Sequence, residues 1–248
     1  MPWIDSHCHL DHASFAHDLT AVLQRAMDDG ISRFVVAGTA FHQWDHQQTL
    51  EQKYPNIYNA YGIHPWFCDL HAEEHLEQLD DRLDDAIAVG ECGLDLMPNK
   101  PDIEKQTFWF EAQLALAKKH DLPAIVHSVK AHDLVVRSLK KMKSSRGVVH
   151  GFSGNIQQAQ ALMDCGYFIG IGTRLIKTHS DKAIALIGQL PLRHMLLETD
   201  APDGMGKGVR NEPKELIVVA NIVAKIREQA PETVLDTCSQ NARELFDI

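Results

Sequence analysis

Apolar and polar residues follow two rhythms that take turns along the chain. Leu19, Val22, Leu23, Ala26 and Met27 recur at i, i+3, i+4, i+7 and i+8, which predicts an amphipathic helix stopped by Gly30. Short apolar runs flank it: Trp3-Ile4 at the start, and Ile31 to Ala37, which ends at Gly38-Thr39. The alternation then repeats. A polar helix over about residues 42–54 is closed by Pro55, and a strand follows from Ile57 to Gly62. Next come an acidic helix over 72–85 and a short strand, Ala86 to Val89. The segment 104–120 is free of Gly and Pro and apolar on several sides, so it reads as a well-buried helix. Strand Leu122 to Val126, helix 131–143 and strand Gly147 to Val149 continue the series. Asn155 with Gln158 resembles a capping box, and Gly166 ends the helix it opens. Strand Tyr167 to Ile171, a helix over about 179–189 and strand Met195 to Leu197 complete it. Of two closing helices, one carries Leu216, Val219, Ala220, Val223 and Ile226, and the other starts at Pro231.

Eight strand-like runs therefore alternate with helices, and none shows the strict polar alternation of a one-faced sheet. Short Val/Ile-rich strands separated by helices indicate a parallel sheet with a covered outer face. The prediction is an α/β chain folded as one (β/α)8 TIM-like barrel, a single domain over residues 1–248. A doubly wound open sheet is the competitor. Its dinucleotide-binding form is weakened by the absence of GxGxxG after the first strand.

In a barrel the C-terminal ends of all strands meet on one rim, where catalytic groups gather. Ligand-type residues stand at six predicted strand ends: His7 and His9, His64, Glu91 and Asp95, His127, His150, and Asp200. His7 and His9, two apart on a strand, share a face. With 15 histidines in the chain that pair alone is a weak signal; six contributing strands carry the reading. Imidazole and carboxylate without thiolate suit Zn²⁺ or Mn²⁺, and hold Mg²⁺ less tightly. His7, His9, Glu91, His127, His150 and Asp200 exceed one four-coordinate site that keeps a water. They suffice for two divalent ions if one carboxylate bridges. Glu91, after the pliant Gly90, is the expected bridge. Asp200 is expected to bind metal and to take a proton from the attacking water, and Asp95 to orient a ligand. Alternation turns Cys8 and Cys92 away from the metal face, as small core residues.

Composition narrows the partners. The 248 residues are 44% hydrophobic and 23% charged, with no apolar run near the roughly 18 residues of a membrane helix. No basic stretch followed by an apolar core opens the chain, and five scattered cysteines fit a reduced, cytoplasmic setting. A net charge of −10 argues against broad binding to duplex DNA, though not against a phosphate held by metal ions. Part of the excess, between Glu73 and Asp85, reads as a solvated helix face. For substrate, His64 is expected to touch a phosphate at the rim, and Lys207 and Arg210 to hold one from a Gly-rich loop. Trp66 and Phe67 are expected to pack under a loop rather than to stack on a base, and Asn211-Glu212-Pro213 to start a helix.

Several segments, taken together and in order, resemble the TatD-like metal-dependent deoxyribonucleases of the amidohydrolase superfamily. They are Asp5-Ser6-His7-Cys8-His9-Leu10-Asp11, Gly62-Ile63-His64-Pro65, Gly90-Glu91-Cys92-Gly93-Leu94-Asp95, His127, His150-Gly151-Phe152-Ser153-Gly154, Glu198-Thr199-Asp200-Ala201-Pro202 and Arg210-Asn211-Glu212-Pro213. The resemblance covers essentially the whole chain and is closer to members described only as uncharacterised metal-dependent hydrolases. It implies a TIM-like barrel, a one- or two-metal centre and hydrolysis of DNA ester bonds, often as a 3′–5′ exonuclease. It also implies His7, His9, Glu91 and Asp200 around one metal, and Glu91, His127 and His150 around a second. Two segments depart from the pattern. Many relatives carry Arg soon after the fifth-strand His, where this chain has His127-Ser128-Val129-Lys130-Ala131-His132. Many also have a longer loop in place of Asp203 to Arg210. The expected function is divalent-metal-dependent hydrolysis of phosphodiesters at DNA ends. The alternative is hydrolysis of a small amide, ester or lactone by the same site. A third reading, a barrel that keeps metal only as a structural element, is opposed by the complete ligand set. No membrane partner is expected, and the oligomeric state is left open.

Overall fold

In the computed structural model, which describes residues 2–143, 146–174, 180–206 and 208–248, eight parallel strands follow one another in sequence order. They are β1 (Trp3–Cys8), β2 (Ile31–Ala37), β3 (Ile57–Tyr61), β4 (Ala88–Asp95), β5 (Ala124–Val129), β6 (Gly147–Val149), β7 (Tyr167–Ile171) and β8 (Met195–Leu197). Among the described residues the helices are α1 (Leu19–Asp28), α2 (Trp44–Lys53), α3 (Glu74–Arg82), α4 (Ile103–Lys119), α5 (His132–Met142), α6 (Ile156–Met163), α7 (Asp181–Gln189), α8 (Leu216–Arg227) and α9 (Pro231–Phe246). The seam between β8 and β1 is joined at its upper end. There Asp200 N–H donates to the His7 carbonyl at 3.0 Å, and His9 N–H to that of Ala201 at 2.7 Å. This is the (β/α)8 barrel that the periodicity predicts.

Local signals act as expected at several ends. Asn155 and Gln158 form the capping box of α6, and Gly30 and Gly166 take positive φ after α1 and α6. The predicted helix over 42–54 opens with a 3₁₀ turn, Phe41–Gln43, before α2. The helix expected from 179 begins at Asp181, where the Ser180 hydroxyl accepts from Ala183 N–H, while residue 179 lies outside the described residues. The largest difference is β4, expected to stop at Val89 but running on to Asp95. Gly90, expected to let the backbone turn before Glu91, and Gly93 instead let the strand continue against β5. Gly93 has φ +140°, and a Cβ there would lie 2.0 Å from the His127 carbonyl oxygen.

Two apolar layers hold the barrel. Outside, Phe34, Val36, Val89 and Val126 pack with the helices. Inside, Ile4, Val35, Ala60, Ala88, Ile125 and Leu196 pack with Ala242, Leu245 and Phe246 of α9. That last helix plugs the N-terminal end: Asn241 Nδ2 donates to the carbonyls of Leu192 and Met195, and the Ser239 hydroxyl accepts from Ile4 N–H. The opposite rim stays open.

The plug fixes which face of each strand is interior, and two strands change phase before reaching the rim. Ile4 points inward, so strict alternation would also send Cys8 inward. A register shift between Asp5 and Cys8 reverses this, and Cys8 packs in the outer layer with its thiol towards the Val35 carbonyl. In β4, Ala88 is interior, and a shift between Val89 and Cys92 sends Cys92 and Leu94 outward. His7, His9, Glu91 and Asp95 are thereby presented to the centre of the rim.

Candidate metal centre

Four side chains converge from β1, β4 and the end of β8. His7 Nε2 and His9 Nε2 lie 3.3 Å apart, at 3.3 and 3.4 Å from Glu91 Oε2 and at 3.6 and 3.5 Å from Asp200 Oδ1. A tetrahedral set holding a zinc-sized ion at about 2.1 Å has edges of about 3.4 Å. The five separations match such edges, and His7, His9 and Glu91 bring their donor atoms together as one group that could hold a cation.

The other oxygen of Glu91 faces a second set. Its Oε1 lies 2.8 Å from His127 Nδ1, 2.7 Å from His150 Nε2 and 3.1 Å from His64 Nε2. The two nitrogens of His127 and His150 are 3.2 Å apart. One carboxylate thus serves both clusters, one oxygen each, which is the geometry a bridging ligand needs. The groups His7–His9–Glu91, His7–His150–Asp200 and His64–Glu91–His127 each bring their donor atoms within 4.8 Å of one another.

His64 differs from the others. Its Nδ1 accepts the backbone N–H of Trp66 at 3.1 Å, so its proton sits on Nε2. His64, lowered to about 4 by burial, is neutral, so losing its Nε2 proton would leave an imidazolate; a protonated imidazolium can give up one proton and keep the other.

Electrostatics of the cluster favour a cation. Burial raises the energy of a charged Glu91, yet His150, His64 and His127 outweigh it and hold its pKa well below the usual range. Asp200 is likewise brought to about 2 against its burial by its hydrogen bond with His9 and by the neighbouring imidazoles. The carboxylates, ionised, draw protons onto the rings. Against burial, the bond to Asp200 and the charge of Glu91 raise His9 to about 10, and Glu91 raises His150 to about 9. His127 is raised too, while His7 is lowered to about 4 by burial and by the nearby His150.

Several of these side chains are braced from behind, although His7 Nδ1 and His150 Nδ1 have no hydrogen-bond partner among the described residues. Asp95 Oδ2 lies 3.0 Å from His127 Nε2, the orienting role that sequence assigns it, and its Oδ1 accepts from Met97 N–H. Asp200 adopts a left-handed backbone, φ 60°, with Thr199 beside it clamped from several sides. Asp5, fully buried, accepts from Thr199 N–H at 3.0 Å and from its hydroxyl at 2.5 Å. Asn211 Nδ2 and the Thr173 hydroxyl donate to the Thr199 carbonyl. Burial lifts the Asp5 carboxyl to about 7, and likewise Glu198, beside His150, to about 8.

Sequence reasoning missed two buried glutamines of α4. Gln113 bonds both the N–H and the carbonyl of Ile63, fixing the turn that carries His64. Gln106 does the same for Asp95. Two glutamines seven residues apart on a mostly apolar helix were the available signal, since that spacing puts them on one face.

The rim encloses a cavity of about 1070 Å³, floored by His9, His64, Glu91, His127, His150 and Asp200. Of the cations expected beside it, Lys207 lies outside the described residues. Arg210 lines the cavity, but its guanidinium is engaged by Asp18 at 2.7 Å, Glu212 at 2.9 Å and the Ser14 carbonyl at 2.8 Å. Glu212 is shared with Arg25, so Arg210 closes a network that ties the loop to α1. Among the described residues of the lining, Arg174, beyond β7, is the cation without a carboxylate partner, and sequence reasoning passed over it. Asn211-Glu212-Pro213 does open a helix, with Pro213 in the first turn of the 3₁₀ segment before α8. Trp66 is a correction. It lines the cavity with 46% of its surface exposed, because its N–H reaches out to Asp95 at 2.6 Å instead of turning under a loop.

Comparison with known proteins agrees with this architecture. A family model described as TatD related DNase matches residues 4–247. The chain is 37% identical to "Uncharacterized metal-dependent hydrolase YjjV" of Escherichia coli over 254 residues, 99% of this chain and 98% of that protein. It is 31% identical to "3'-5' ssDNA/RNA exonuclease TatD" of Erwinia billingiae, covering 96% of each. A crystal structure of the Escherichia coli YjjV protein, described as a TatD homolog, superposes with a TM-score of 0.94 at 36% identity, over 99% of this chain and 98% of that one. No described helix is long and apolar enough to cross a membrane. The chain belongs to the TatD related DNase family, and it is a metal-dependent hydrolase.

Proposed function

We propose that this single-domain barrel, residues 1–248, hydrolyses phosphodiester bonds at the ends of single-stranded nucleic acid. The observation that carries the reading is Glu91, whose two carboxylate oxygens are divided between two imidazole clusters inside one open cavity. A relative named as a single-strand exonuclease supports the substrate class.

His7, His9, Glu91 and Asp200 would hold one divalent ion, and Glu91, His127 and His150 a second, each of the Zn²⁺, Mn²⁺ or Mg²⁺ class. Bound there, the ions supply positive charge that acidifies water and polarises a phosphoryl oxygen. The chain's own groups do the rest. Asp200, ionised and facing the cavity, accepts the proton lost by the attacking water. His64, its proton held on Nε2 by the Trp66 N–H, donates to a phosphate oxygen. Asp95 fixes the ring plane of His127, and Asp5 fixes Asp200 through Thr199. Arg174 offers charge to a flanking phosphate, while Arg210 shapes the loop that forms the wall.

The test combines elemental analysis of protein purified without added metal with assays in Mg²⁺, Mn²⁺ or Zn²⁺. Substrates are end-labelled single-stranded DNA and neutral carboxylic esters and lactones. About two equivalents of metal and strands shortened from one end are expected, with Glu91→Gln losing both. Metal-dependent cleavage of the neutral esters, with DNA untouched, would overturn the proposal in favour of a small-molecule hydrolase.

A further inference from the structure

Trp66 occupies the mouth of the cavity in a manner that hydrolysis alone does not require. It follows His64 and Pro65 in the turn after β3, and nearly half of its large apolar surface faces solvent. Its position is nonetheless fixed. The indole N–H donates to Asp95 Oδ2, the oxygen that also faces His127 Nε2. Its ring meets His64 and His127 edge-on, with centroids 5.1 and 6.1 Å away and planes at 89° and 75°. Lys100 Nζ stands 3.3 Å from its ring centroid.

A tryptophan so anchored is a rigid, flat surface beside the reacting centre. Holding the ring in advance removes most of the ordering cost of binding a second flat group. Every nucleobase has a π-face, and stacking on an aromatic side chain is how single strands are gripped without regard to sequence. The ammonium of Lys100 lies over one face of the ring, so a base would stack on the other face or displace it, and the charge would then meet the phosphate attached to that base. Among the described residues of the cavity lining, Arg174 is the cation without a carboxylate partner, which suits a substrate held by stacking as well as by charge.

We propose that Trp66 is the stacking platform for the nucleobase adjoining the scissile phosphate, so that the centre selects nucleotides over phosphodiesters lacking a planar base. This rests on the nucleic-acid reading above. Trp66 both touches the base and, through Asp95, helps to hold His127.

The experiment compares the wild type with Trp66→Leu and Trp66→Phe on two single-stranded DNAs. One is a normal oligomer; the other carries abasic tetrahydrofuran residues at both ends, so that either direction of attack is covered. The wild type should prefer the base-bearing oligomer by about tenfold in kcat/KM, within the range for one stacked base. Trp66→Leu should bring that ratio below about twofold, while Trp66→Phe keeps most of it and slows both substrates through loss of the bond to Asp95. A full ratio in Trp66→Leu overturns the platform, whether or not both rates fall together.

A second readout needs no turnover. A thymidine pentanucleotide, added with Ca²⁺, should quench tryptophan emission in the wild type and leave Trp66→Phe unaffected. Quenching without cleavage of any strand keeps the platform and overturns the hydrolytic reading. Cleavage without quenching overturns the platform alone, and neither overturns both.

Discussion

Loading the centre with metal should expel about two protons at pH 7. His9 and His150, raised to about 10 and about 9, are both protonated at that pH in the metal-free protein. A cation needs their bare nitrogens. His7, lowered to about 4, is already neutral, and Asp200, at about 2, is already ionised. Two displaced protons make the overall affinity rise about a hundredfold per pH unit between pH 7 and 8, which is about 2.7 kcal/mol per unit, and less steeply as His150 nears its own value of about 9. Protonation of His127, also raised, would add to the release. Titration calorimetry in two buffers of unlike ionisation enthalpy counts the protons, and competition with a chelating dye gives the slope. Stability carries the same signature. In the metal-free protein the raised pKa values favour the fold fully below pH 6.5, the unfolded value, and that contribution fades as pH climbs through about 9 and 10. Metal binding strengthens over the same interval, so the gap in Tm between loaded and stripped protein should widen from pH 6.5 to 9. No proton release, with an affinity independent of pH, would refute the reasoning.

Three further outcomes follow from the residues around the centre. Asp95→Asn, which replaces the acceptor facing His127, should lower metal affinity or activity about 10–100-fold with little change in Tm, read by dye competition and initial rates; unchanged values would remove Asp95 from the centre. Arg210→Gln should cost no more than about 1 kcal/mol of stability and leave KM for oligonucleotides in place, because its charge is already paired at a partly exposed site. Arg174→Gln should instead raise KM and flatten the slope of log affinity against log salt by about 0.7. The reverse pattern would return the phosphate to Arg210.

Most of the architecture was legible because it is written in local spacing. Runs of apolar residues at helical period, Gly30 and Gly166 at helix stops, and the Asn155–Gln158 box depend only on neighbours a few residues apart. The identity of the site's chemistry was legible for a related reason. Histidines and carboxylates at strand ends must meet once the strands form a barrel, whatever the details of packing. The reach of β4 was not legible, since Gly90 and Gly93 break a strand in isolation and permit one only where another backbone approaches closely.

The alternation of elements, the barrel it implies and the residue types on its open rim were thus determined by the sequence itself. Which way those residues point was decided only in three dimensions. The register shifts in β1 and β4 arise from pairing with neighbouring strands, and they turn His7, His9 and Glu91 inward and Cys8 and Cys92 outward. Asp5 reaches Thr199 and Arg210 reaches Asp18, each across more than 190 residues of chain, so no periodicity could report them. Trp66 was left exposed by a single hydrogen bond to Asp95. Hydrophobic pattern is a property of segments, whereas partnership of polar groups is a property of the closed barrel that brings distant segments together.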